Sequence, residues 1–157
     1  MTCFKSAITW AFVVSALLCT VQVKAKDKSL KKSDLPAAVQ KTADEQSQGA
    51  EVRGYSSEME GGTLEYEVQM TIHVHSRDVS IAPDGRVLEV EEGVTMKDLP
   101  ASVRDSLKQK AGAGTITKVE SLTKGDKLVA YEAQVRRGAK RSEIQVGPAG
   151  DALTHPE

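Results

Sequence analysis

The chain has 157 residues, with 21 Lys and Arg against 22 Asp and Glu for a formal net charge of −1, and an aromatic content of 4%. A near-neutral, aromatic-poor chain lacks both the basic footprint and the stacking platforms that nucleic-acid recognition uses, so nucleic acid is excluded as a partner. The length suits one ordinary domain or two very small ones that share a core.

Residues 1–25 read as a secretory signal peptide. Lys5 marks a short basic start, Ala7 to Cys19 is apolar, and Val23-Lys24-Ala25 supplies a small-residue cleavage signal, so cleavage is expected after Ala25. The alternative is an uncleaved anchor, since the uncharged stretch from Ser6 to Val23 is about 18 residues, the lower limit for spanning a bilayer. A membrane association is expected only in that case. Cys3, Cys19, Phe4, Trp10 and Phe12 all leave with the signal, and what remains has no Cys, Phe or Trp. A disulfide and thiol chemistry are thereby excluded, and stability must come from an aliphatic core. Residues 26–33, with Lys26, Lys28, Lys31 and Lys32, read as a basic flexible lead-in.

Two units follow, 34–92 and 93–157. Asp34-Leu35-Pro36-Ala37-Ala38-Val39 recurs as Asp98-Leu99-Pro100-Ala101-Ser102-Val103, Tyr66-Glu67-Val68-Gln69 as Tyr131-Glu132-Ala133-Gln134, and the pattern Val79-x-Ile81-x-Pro83-x-Gly85 as Ile144-x-Val146-x-Pro148-x-Gly150. The offset is 64 for the first block and 65 for the other two, so order, spacing and residue type all persist, the mark of an internal duplication. The copies differ in charge: residues 34–92 hold 13 acids and 4 bases, residues 93–157 hold 8 acids and 11 bases.

Each unit opens on a helix. Leu35, Ala38, Val39, Thr42 and Ala43 share one helical face, as do Leu99, Ser102, Val103, Ser106 and Leu107. Asp34 and Asp98 are the expected N-caps, with Pro36 and Pro100 in the first turn and Gly49 and Gly112 as stops. Short strands are expected near Val52 to Met59 and Ile116 to Thr123, ending at the turns Gly61-Gly62 and Gly125-Asp126. The clearest strand signal runs from Leu64 to His75: Leu64, Tyr66, Val68, Met70, Ile72 and Val74 take one face, and Glu65, Glu67, Gln69, Thr71, His73 and His75 the other. Its counterpart sets Val129, Tyr131, Ala133 and Val135 against Ala130, Glu132, Gln134 and Arg136. Val79 to Ile81 and Val87 to Val90 flank the turn Pro83-Asp84-Gly85; Ile144 to Val146 and Ala152-Leu153 flank Pro148-Ala149-Gly150. The predicted fold class is α+β, two tandem helix-then-antiparallel-strands repeats with the helices packed on one face of the sheet.

Leu35-Pro36, Val39, Gly61-Gly62, Tyr66-Glu67-Val68, Val79-Ser80-Ile81, Asp84-Gly85 and Val87-Leu88 together resemble the PepSY domain, a small α+β module of bacterial envelope proteins and peptidase propeptides. The tandem arrangement is similar to that of PepSY-like proteins likened to β-lactamase inhibitory protein. The resemblance implies a binding or inhibitory module with no catalytic residues. The chain departs from it where the third strand often ends in Asp, at Ala82 and Gly147.

The residues point the same way. The exported part has no cysteine, its histidines are His73, His75 and His155, and neither a nucleophile elbow nor a phosphate loop occurs. No enzymatic activity and no cofactor are expected. The expected binding surface is the polar sheet face opposite the helices, carrying Glu65, Glu67, Gln69, Thr71, Glu132, Gln134 and Arg136. The expected partner is a cell-envelope protein, and the expected location is the periplasm or the exterior. Tyr55, Arg53, Arg136 and Arg137 are the candidate anchors, because interface energy concentrates in Tyr, Trp and Arg. The alternative is an envelope metal or small-ligand binder in which His73 and His75, on one face of one strand, chelate Zn or Cu with Asp78 as a possible third donor.

Overall fold

The structure, a computed structural model, describes residues 28–157. The expected signal peptide lies outside the described residues. Eight strands form one antiparallel sheet in which every strand pairs with its neighbours in sequence: β1 (Lys28–Leu30), β2 (Glu51–Glu60), β3 (Thr63–Ile72), β4 (His75–Ile81), β5 (Val87–Gly93), β6 (Thr115–Lys124), β7 (Lys127–Arg137) and β8 (Lys140–Val146). Helix α1 (Ala37–Gln46) lies between β1 and β2, and α2 (Ala101–Ala111) between β5 and β6. Four strands therefore follow α1 and three follow α2, and the pairing of β5 with β6 makes the sheet continuous.

Both helices cover the same face. Helix α1 buries Val39 and Ala43, with Leu35 ahead of it, against Val68, Met70, Val79 and Ile81 of β3 and β4. Helix α2 buries Val103 and Leu107, with Leu99 ahead of it, against Val119, Ala133 and Val146 of β6, β7 and β8. Tyr66 and Tyr131 point into these cores, as the alternation predicts. Tyr55 does too, packing against the first core, so it is not an outward anchor.

The helices start later than the caps suggest. Pro36 and Pro100 occupy the N-cap positions and offer no side-chain cap. Asp34 instead sits in a 3-10 turn, Lys32–Asp34, where its Oδ2 accepts the Lys31 N–H at 3.0 Å, and Asp98 accepts the Thr95 hydroxyl at 2.5 Å. Each carboxylate thus closes the turn before the helix, and proline, which has no N–H to satisfy and a fixed φ, begins it.

Three further expectations are corrected. Lys28–Leu30, read as part of a flexible lead-in, pairs with Ser57, Ser56 and Tyr55 as an edge strand, and the Lys32 ammonium pairs with Asp44 on α1. The run from Leu64 to His75 is not one strand: β3 ends at Ile72, and His73-Val74 form a two-residue turn with His73 at φ 55°. Turns of this tightness need a left-handed residue to match strand twist. Ala152-Leu153 forms no strand, so among the described residues β8 has no counterpart of the β4–β5 pairing on its far side.

The turns after β4 and β8 lock the helices to the sheet in the same way. Gly85 N donates to Ala82 O at 2.8 Å and Ala82 N to Arg86 O at 2.8 Å; Gly150 N donates to Gly147 O at 2.8 Å and Gly147 N to Asp151 O at 2.9 Å. Gly85 (φ +88°) lies so close to α1 that a Cβ would stand 2.9 Å from the Ala38 carbonyl oxygen, and one at Gly150 (φ +85°) would stand 2.7 Å from the Ser102 carbonyl oxygen. Thr42 Oγ1 donates to the Gly85 carbonyl at 2.6 Å, fastening helix to turn.

Candidate functional site

Residues directly opposite each other in an antiparallel pair share a face, so the register assigns the helix-free face row by row. One row runs Ser56, Glu67, Ser80, Glu89 across β2 to β5. The next runs Gly54, Gln69, Asp78, Glu91, Leu122, Ala130 across β2 to β7. A third joins Glu120, Glu132 and Gln145 on β6 to β8, and a fourth Lys118, Gln134 and Glu143. The carboxylates of the acidic half and the inward end of the basic half therefore converge at mid-sheet, on β4, β5 and β6.

All seven residues expected on this surface lie on it. Glu65, Glu67, Gln69 and Thr71 follow one another along β3, opposite Glu58, Ser56, Gly54 and Glu51; Glu132, Gln134 and Arg136 run along β7 opposite Gln145, Glu143 and Arg141. They form the two flanks of the face. At its centre stand Asp78, expected from the sequence only as a third donor to the histidine pair, and Glu89, Glu91 and Glu120, which carried no expectation although Glu89-x-Glu91 and Lys118-x-Glu120 show the same period-two polarity.

At the centre, one carboxylate oxygen from each of Asp78, Glu91 and Glu120 lies within 4.8 Å of the others. Asp78 and Glu91 are direct cross-strand partners; Glu120 is two residues before Leu122, the partner of Glu91 on the other side, and so reaches Glu91 diagonally. Glu120 is 3% exposed. Leu122 and Ala130, next in the same row and buried at 2% and 0% exposure, give this centre an apolar flank. Burial in that setting pushes the Glu91 carboxyl up to about 8, helped by the charges of Glu120, Glu89 and Glu132 and by a hydrogen bond with Glu89. Burial also raises Asp78, against the opposing pull of Arg53. Further out, burial raises Glu65, with Glu60 and Glu89 adding repulsion.

Cations reach the rim of the cluster. Arg53 donates to Asp78 Oδ1 at 2.9 Å, Lys124 pairs with Glu89 Oε2 at 3.2 Å, and the Lys118 ammonium stands 2.5 Å from Glu120 Oε1. The Lys118 contact is an ion pair without hydrogen-bond geometry, so Glu120 Oε1 has a charged neighbour but no aligned donor. Elsewhere on the face, Ser56 donates to Glu67 at 2.9 Å and Gln145 to Glu132 at 2.8 Å. Of the other expected anchors, Arg53 is thus engaged inside the face, and Arg137 donates to the Ala111 carbonyl at the end of α2, at 2.6 Å.

The histidine pair does not assemble as expected. His73 is a turn residue, and His75 opens β4 opposite Ile72, on the face of Val79 and Ile81, whereas Asp78 is on the other face. The two-residue spacing counts along one strand only when no turn intervenes. Among the described residues, the group of three candidate metal donors is the carboxylate cluster.

No family model and no curated protein matches the chain. Solved structures do. A candidate periplasmic protein from Bacteroides eggerthii DSM 20697 shares 17% identity at a TM-score of 0.62, covering 76% of this chain and 86% of its own. A DUF2874 family protein from Bacteroides ovatus ATCC 8483 shares 14% identity at 0.59, covering 76% and 85%. A BLIP-like protein from Bacteroides fragilis NCTC 9343 shares 16% identity at 0.55, covering 77% and 84%. At these identities the likeness is one of fold, and a BLIP-like fold fits the chain. Among the described residues, no helix is long and apolar enough to cross a membrane.

Proposed function

We propose that the protein is an exported, non-enzymatic binding module of the bacterial envelope, acting in the periplasm, whose acidic sheet face docks onto a basic surface of a partner protein. On this reading the chain is a duplicated PepSY-like unit, and its role is interaction or inhibition rather than catalysis. The observation that carries it is the convergence of Asp78, Glu89, Glu91, Glu120 and Glu132 on one helix-free surface. Like charges placed opposite one another across a sheet cost stability, so a folded chain that keeps them has a use for them. A basic partner relieves that repulsion and gains steering from it. The names of the solved neighbours, periplasmic and BLIP-like, accord with the location and with inhibitor-like docking.

The test is affinity capture from envelope extract of the source cell at low salt with chelator present. Wild type is compared with a Glu65→Lys, Glu67→Lys variant on the face and a Glu45→Lys, Asp105→Lys control on the helix side. Partners that are basic, elute as salt screens the contact, and are lost only with the face variant are the expected result. Equal retention by both variants refutes the face.

A further inference from the structure

We infer that Asp78, Glu91 and Glu120 form a site for one hard divalent cation, of the Ca2+ or Mn2+ class, at the seam of β4, β5 and β6. Their three oxygens lie within 4.8 Å of one another. Calcium–oxygen bonds of about 2.3–2.6 Å place donors on opposite sides of one ion about that far apart, so all three fit a single coordination sphere. An oxygen-only donor set suits hard cations such as Ca2+ and Mn2+. Water from the open face completes such a shell, since neither Ca2+ nor Mn2+ demands a full protein cage.

Glu120 supplies the second, independent observation. Its side chain is 3% exposed, and its buried Oε1 accepts no hydrogen bond. A buried carboxylate oxygen left without a donor is costly, and native structures rarely tolerate one unless an ion takes up the charge. Lys118 stands where such a charge is needed, yet its side chain is 34% exposed and has water within reach. It behaves as a displaceable counter-ion. Arg53 occupies one oxygen of Asp78 and leaves that carboxylate further acceptor capacity. The site draws Asp78 and Glu91 from the strands after α1 and Glu120 from those after α2, so it exists only where β5 and β6 are paired.

This inference goes beyond the docking proposal. Its test is isothermal titration of chelator-treated full-length protein with CaCl2 and MnCl2 at neutral pH. One site per chain is expected, with a dissociation constant of roughly 0.1–1 mM, the range of extracellular calcium modules. Glu91→Gln and Glu120→Gln should each weaken it at least about tenfold, Glu65→Gln on the same face should leave it unchanged, and Lys118→Met should tighten it. Unaltered binding in Glu91→Gln and Glu120→Gln overturns the site, and so does binding confined to Lys118→Met. Should either glutamine variant fail to fold, Mn2+ broadening of wild-type amide signals decides: broadening centred on β4, β5 and β6 supports the site, and broadening elsewhere refutes it. The capture assay runs in chelator with charges reversed at Glu65 and Glu67, outside the cluster, so the two proposals fail separately.

Discussion

Glu91 is the carboxylate that the fold pushes far above its ordinary range. From β4 Asp78 faces it, from β5 Glu89, from β6 Glu120 and Leu122, from β7 Glu132, and Arg53, Lys118 and Lys124 stand at the rim. With its carboxyl raised from 4.5 to about 8, the folded chain holds a proton between those values that the unfolded chain has released. Stability then falls as pH rises through that window, by at most about 1.4 kcal/mol per unit, and levels off above it. Melting of metal-free protein from pH 5 to 8 should show a declining midpoint, and Glu91→Gln, which cannot ionise, should flatten the decline. A profile that is flat in wild type, or that keeps its slope in the variant, contradicts the assignment.

Glycine makes a second prediction at this scale. Gly85→Ala should cost about 2–3 kcal/mol, because positive φ and collision with the Ala38 carbonyl act together. Gly61→Ala, at φ +56° with open space around it, should cost only about 1 kcal/mol. Urea unfolding of the two variants separates strain from collision; equal losses remove the helix contact as the cause.

Elements were legible in the sequence wherever one face is buried. β3 and β7 alternate because α1 and α2 cover one side and water the other, and the helices show an apolar stripe for the same reason. Leu35, Val39 and Ala43 repeat every four residues, as do Leu99, Val103, Leu107 and Ala111, and these are the buried positions. Local pattern failed where pairing or turn chemistry decides. β1 is three residues long, with two of them exposed, and exists only because the β2 edge accepts it. The turn at His73-Val74 carries neither Gly nor Pro, so the alternation appeared to run through it. The acidic centre was illegible because Asp78, Glu91 and Glu120 are remote in sequence and meet only through the registers of β4 with β5 and β5 with β6. One prediction tests the helical stripe: Leu107→Ala, at 0% exposure, should lower unfolding free energy by about 2–5 kcal/mol, whereas Lys108→Ala beside it should be nearly silent.

For the whole molecule, the pairing of β5 with β6 matters more than either half. Each half buries its own aliphatic cluster under its own helix, without a Phe or Trp among the described residues. A unit of about 60 residues buries only about 60% of its unfolded surface and is marginal alone. The seam adds four residue pairs, Val90 with Thr123, Glu91 with Leu122, Glu92 with Ser121 and Gly93 with Glu120, and the Val94 N–H extends it to the Val119 carbonyl at 2.9 Å. Dividing the sheet there exposes two edges and uncovers Leu122, which is 2% exposed in the intact sheet. The full chain should therefore unfold in one transition, with calorimetric and van't Hoff enthalpies in agreement, and residues 93–157 alone should stay largely unfolded. Leu122→Glu adds a carboxylate to a cluster that is already repulsive and should lower the single midpoint without splitting it. Two resolved transitions would mean instead that the halves fold independently and that the acidic centre is carried by a joint loose enough to open.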